Sequence, residues 1–68
     1  MNIEKIWKYG ESDLGYSVYK IGPNKWSGEI TVYHLTAVLP AKDTKEELMK
    51  NAEVLFNKLY ESYHEVVN

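Results

Sequence analysis

Trp26-Ser27-Gly28-Glu29-Ile30-Thr31-Val32-Tyr33-His34-Leu35-Thr36-Ala37-Val38-Leu39-Pro40 is the stretch on which the fold turns. It is dense in β-branched and aromatic side chains, which suit a pleated surface, and it predicts one long strand over 26–39. Pro40 closes that strand, because proline has no N–H to donate to a ladder. Upstream, Gly22-Pro23-Asn24-Lys25 reads as a turn. Pro23 presets φ for the first central position and Asn24 tolerates unusual φ at the next. Tyr16-Ser17-Val18-Tyr19-Lys20-Ile21 is the strand on the far side of that turn, bracketed in its own turn by Glu11-Ser12-Asp13-Leu14-Gly15. Residues 3–9 supply a further strand, with Ile3, Lys5, Trp7 and Tyr9 on one parity. Ile3, Ile6 and Trp7 also fit a helical turn, but two strands alone make a poor sheet, which favours the strand.

The C-terminal third has a different period. Leu48, Ala52, Leu55, Leu59, Tyr63 and Val66 recur every three or four residues, flanked by Met49, Phe56, Tyr60 and Val67. Lys45, Lys50, Asn51, Asn57, Lys58, Glu61, Ser62 and Glu65 fall mostly on the opposite side. An apolar stripe of that kind predicts an amphipathic helix over about 44–67. Asp43 or Thr44 can cap it, each followed three residues later by a glutamate at the capping-box spacing, and Glu46 and Glu47 suit the positive end of the helix dipole. The expected fold is α+β: a three-stranded antiparallel β-meander packed on one long C-terminal helix, a βββα arrangement in a single small domain over 1–68. A helix of this length outreaches a short strand, so Tyr60, Tyr63, Val66 and Val67 need cover where it projects.

Composition narrows the function. The 68 residues contain no cysteine, which removes disulfides, zinc thiolates and thiol nucleophiles together. Hydrophobic residues at 44% and charged residues at 26% are ordinary for a globular chain, so disorder is not expected. The opening residues Met1 to Ile6 carry no apolar run of a signal peptide, and no stretch approaches the roughly 18 apolar residues a spanning helix needs. Glu65-Val66-Val67-Asn68 matches no lipidation signal. A cytoplasmic location is the expectation. Eight lysines with no arginine, together with five asparagines and six tyrosines, point to an AT-rich coding sequence such as that of a low-GC bacterium, its phage or a plasmid.

Catalytic candidates are few. His34 and His64 alone titrate near neutrality, and His34 falls in the long strand on the parity of Ile30 and Val32, the place of a packed or rim histidine. Ser12, Ser17, Ser27 and Ser62 lack a nucleophile-elbow context, and Gly10, Gly15, Gly22 and Gly28 do not form a phosphate-cradling loop. Asp13, flanking a turn with Glu11, is explained by Asx-type bonding. Glu61 and His64 have the i, i+3 spacing used in di-iron bundles, but those sites need a second such motif and further carboxylates. No enzyme, cofactor or metal is expected.

Binding is the alternative. Three strands and a helix give a sheet two faces and only one cover. Tyr16 and Val18 point one way and Tyr19 and Ile21 the other. In the long strand Ile30, Val32 and Val38 oppose Tyr33, Leu35, Ala37 and Leu39. Both faces therefore read as half apolar, and contiguous apolar patches mark contact sites. Trp7, Tyr9, Tyr19 and Tyr33 on the sheet, with Tyr60 and Tyr63 at the end of the helix, are the candidate contact residues, since aromatic side chains anchor interfaces. The expected partner is another protein or a second copy of the chain, as befits a small interaction, regulatory or inhibitor protein. Nucleic acid is the second option, through the sheet: small DNA-binding domains use a βββα topology, and Lys5, Lys8, Lys20 and Lys25 accompany the aromatics. Against it, the first 34 residues hold four lysines and four carboxylates, and polyanion binding draws on a basic surplus and on the guanine-reading arginine absent here. The charge balance of the helix is likewise wrong for anionic lipid.

Overall fold

In the computed structural model, which describes the backbone of residues 2–67 and the side chains of residues 2–64, the chain forms an antiparallel sheet followed by one helix. The strands are β1 (Ile3–Trp7), β2 (Leu14–Gly22), β3 (Lys25–Val32) and β4 (Leu35–Lys42), paired in the order β1-β2-β3-β4, and the helix is α1 (Lys45–Val67). The α+β class and the C-terminal helix agree with the sequence. The strand count does not: there are four strands, because the stretch 26–39 folds back on itself at Tyr33 and His34. The turn is closed by Val32 opposite Leu35, and Tyr33 takes a φ of 57°; Tyr9, in the β1–β2 loop, takes a φ of 56°. Such left-handed φ at the first central position of a hairpin is normally filled by glycine. Tyr33 occupies it at a steric cost, so no ordinary turn residue marks the bend.

Splitting the strand resets parity, and this corrects the expected faces. Through a two-residue turn the inward set passes from even positions in β3 (Ile30, Val32) to odd positions in β4 (Leu35, Ala37, Leu39). The leucines that made the second face look apolar therefore lie on the same face as Ile30 and Val32. Two further boundaries move. Pro40 does not end its strand, since β4 continues to Lys42 as an edge strand, where proline is tolerated. Tyr9 lies in the loop after β1, outside the strand expected over 3–9.

The Pro23-Asn24 turn forms as the sequence predicts, with Asn24 at φ 56°. The helix also begins as predicted: the Glu47 N–H donates to Thr44 Oγ1 at 3.1 Å, choosing Thr44 over Asp43 as the cap. Leu14, Tyr16, Val18, Ile30, Val32 and Leu39 of the sheet are buried against Leu48, Ala52 and Phe56 of α1. The centre of the helical stripe is thus the i, i+4 series Leu48-Ala52-Phe56, with Leu55 and Leu59 displaced to its flank and only partly covered. Gly28 is required by close approach, because a Cβ there would stand 2.0 Å from the Ser17 carbonyl oxygen of β2. The expected need for cover at Val66 and Val67 concerns side chains outside those described.

Candidate functional site

The six aromatic residues singled out by sequence separate into two places. Trp7 and Tyr19 stand on the sheet face away from α1, with Ile3, Lys5, Ser17, Glu29, Thr31, Thr36 and Val38. Ser17, Glu29 and Thr31 occupy the middle of this face beside Tyr19, and its apolar side chains, Ile3 at 54% exposure, Trp7 at 48% and Val38 at 72%, stand on the two outer strands. It is less apolar than the expected second face.

Tyr9, Tyr33, Tyr60 and Tyr63 gather instead at one end of the molecule. The β1–β2 loop and the β3–β4 turn both lie there, and a 23-residue helix, about 35 Å long at 1.5 Å per residue, runs past them. Tyr9 packs on Tyr60 with ring centroids 5.2 Å apart, and Tyr33 on Tyr63 at 4.9 Å. His64 meets Tyr60 edge to face with ring centroids 4.4 Å apart, and His34, exposed in the turn and not in a strand as expected, has its ring centroid 6.1 Å from that of Tyr63. These turns are pinned by backbone bonds: the Tyr33 N–H donates to the Asp13 carbonyl at 2.8 Å and the Lys8 N–H to the Leu14 carbonyl at 2.7 Å. Partial desolvation, then the neighbouring Tyr60, Asp13, Glu11 and Tyr63, hold the Tyr33 hydroxyl above the ordinary phenol value. The aromatics at this end therefore cover the projecting helix: Tyr33, Tyr60 and Tyr63 are partly buried against one another, and Tyr9, which touches Phe56 and Tyr60, stays 65% exposed.

A polar network sits between β1, β2 and α1. The Lys8 ammonium donates to Glu53 Oε1 at 2.6 Å, and the buried Tyr16 hydroxyl donates to Glu53 Oε2 at 2.7 Å. Hydrogen bonds from Lys8 and Tyr16 hold the Glu53 carboxyl below its ordinary pKa, against the opposing effect of desolvation. Burial, followed by the bond to Glu53, raises that of Tyr16. Among the described residues no three His, Asp or Glu side chains converge in a manner that could hold a metal ion.

None of the sequence-predicted contact residues lies in β4, yet its edge is open over Leu35–Leu39, ahead of the Pro40 and Lys42 that end the strand. As the last strand in the sheet it has backbone groups with no strand on the outer side among the described residues. Leu35 (37% exposed) and Ala37 point toward α1 without being fully covered. Beside them Ile30, Ala37, Leu55 and Leu59 line a cleft of about 300 Å³, with Lys58 and Ser62 at its rim. The other sheet edge, β1, carries Glu4 and Lys5, and Glu4 is tied to Lys45 of the helix by an ion pair. Charges on an edge strand discourage further pairing. β4 has one charge, Lys42 at its end, with Pro40 just before it, and none from Leu35 to Leu39. That gap, in a chain with 26% charged residues, was the available signal.

The chain matches no family model, no curated protein and no solved structure. Among the described residues no helix is long and apolar enough to cross a membrane.

Proposed function

We propose that the chain is a non-catalytic interaction protein that accepts an extended polypeptide segment along β4. The observation that carries this reading is the free edge of β4 lying beside the apolar cleft of Ala37, Leu55 and Leu59. Strand addition needs both parts: main-chain bonding along the edge gives affinity, and pockets for alternate side chains give selectivity. A regulatory or inhibitory role fits such a protein, and a cytoplasmic setting, phage or plasmid coding included, belongs to the same proposal. The contact surface moves from the aromatic residues to β4 because Tyr33, Tyr60 and Tyr63 are partly buried in their own cluster, Tyr9 stands at its rim, and Trp7 and Tyr19 share their face with Lys5 and Glu29. The same mixture of charges leaves nucleic-acid binding as the weaker reading.

Amide chemical shifts of the dilute chain test this during titration with extended apolar peptides, among them a synthetic copy of residues 35–41. Shifts along Leu35–Leu39 and at Leu55 and Leu59 are expected. Shifts confined to Trp7 and Tyr19 would transfer the contact to the open face. A response to duplex oligonucleotide that weakens as salt rises, with none to any peptide, would make the chain a nucleic-acid binder.

A further inference from the structure

Accepting the β4 edge as the contact surface, we infer that its occupant is the β4 strand of a second copy, paired antiparallel about a two-fold axis through Ala37. The sequence of the strand supplies the reason. Leu35-Thr36-Ala37-Val38-Leu39 is nearly palindromic. Antiparallel pairing centred on Ala37 sets each Leu35 opposite the other chain's Leu39, each Thr36 opposite the other Val38, and Ala37 opposite itself. Thr and Val are both β-branched and similar in shape, and β-branched pairs suit cross-strand positions.

Three further observations agree. No charged side chain lies between Leu35 and Ala41, so bringing two identical edges together opposes no like charges. The matched run ends at Leu39, one residue before Pro40, which cannot donate to a ladder. A two-fold axis through Ala37 and normal to the sheet also puts both helices on one side, so that the partly exposed Leu35 and Ala37 and the two clefts adjoin across the axis. The result is one continuous eight-stranded sheet with two β1 strands as its outer edges, both of them charged. Two-fold pairing through a self-complementary patch is the commonest form of association.

The register makes the test specific. Thr36 and Val38 are both exposed on the open face, and Val38 lies beside Glu29 of its own chain. In the double variant Thr36→Lys with Val38→Lys, lysine meets lysine at both 36–38 pairs of the proposed dimer. In Thr36→Glu with Val38→Lys, glutamate meets lysine at both, and the lysine still faces Glu29. Sedimentation equilibrium of the full chain from micromolar to millimolar concentration should give twice the 7.9 kDa chain mass for the natural sequence. The Lys/Lys variant should sediment as monomer and the Glu/Lys variant as dimer, with circular dichroism checking that each is folded. A natural chain that stays monomeric throughout overturns the inference, as does a folded Lys/Lys variant that remains dimeric. Should that variant fail to fold, amide exchange of the natural chain decides: protection of Leu35–Leu39 that grows with concentration supports pairing, and its absence overturns it. A monomer that still binds extended peptide along β4 sinks the self-pairing alone, whereas a monomer that binds none sinks the interaction reading with it.

Discussion

Tyr33 stands at φ 57° in the β3–β4 turn, and Tyr9 at φ 56° in the loop beside it. Left-handed backbone costs an L-residue about 1–2 kcal/mol, and here each strained tyrosine lays its ring on the helix. Tyr33→Gly and Tyr33→Ala separate the two contributions, because both lose the ring and only glycine is at ease at that φ. We expect urea denaturation to rank the natural chain above Tyr33→Gly, and Tyr33→Gly above Tyr33→Ala by about 1 kcal/mol. Equal stability of the two variants would mean that the turn relaxes. Glu53 offers a second test at this scale. Its folded pKa is lowered, so the stability it contributes is present above the ordinary glutamate value of about 4.3 and is lost as pH falls through the lower folded value. Glu53→Gln should flatten that part of the stability–pH curve. It should cost about 1 kcal/mol at neutral pH, since the carboxylate is partly exposed and its ion pair is worth less than a buried one.

At the scale of elements, the helix was legible and the last two strands were not, for reasons visible in single residues. Leu48, Ala52 and Phe56 announce a 3.6-residue period over several turns, and Thr44 with Glu47 marks its start. Thr44→Ala should lower stability by about 1 kcal/mol, measurable as a fall in the urea midpoint with an unchanged slope. Asn24 likewise marks its turn, because asparagine tolerates the φ it adopts. Tyr33 and His34 mark nothing: neither is a glycine, proline, asparagine or aspartate, and β-branched or apolar residues flank them without a break in composition. The contacts that hold the bend are distant in sequence, the Tyr33 ring on Tyr63, 30 positions away, and the Tyr33 N–H on the Asp13 carbonyl, and local propensity carries no trace of them. Missing that bend inverted the parity of Leu35, Ala37 and Leu39 and made an inward face look outward. The Glu53 network was hidden for a related reason, since its partners are separated by 45 and 37 residues.

Considered whole, the molecule is small enough for association to bear on folding. A single core in fewer than about 70–80 residues rarely supplies more than 3–5 kcal/mol, and this chain of 68 has no disulfide to assist it. Partly covered Leu35, Ala37, Leu55 and Leu59 represent apolar area that the monomer leaves at the surface of its cleft. If β4 pairs with its copy, the native state is linked to concentration, because a partner that binds only the folded chain stabilises it by mass action. The thermal midpoint of the natural chain should then rise by several degrees between micromolar and millimolar concentration. The same range should leave the Thr36→Lys, Val38→Lys variant unmoved. A midpoint independent of concentration in the natural chain would assign the whole of its stability to the core of Leu14, Val18, Ile30, Val32, Leu39, Leu48 and Phe56. The edge of β4 would then contribute nothing to folding, and its lack of charge would need a partner other than a second copy to explain it.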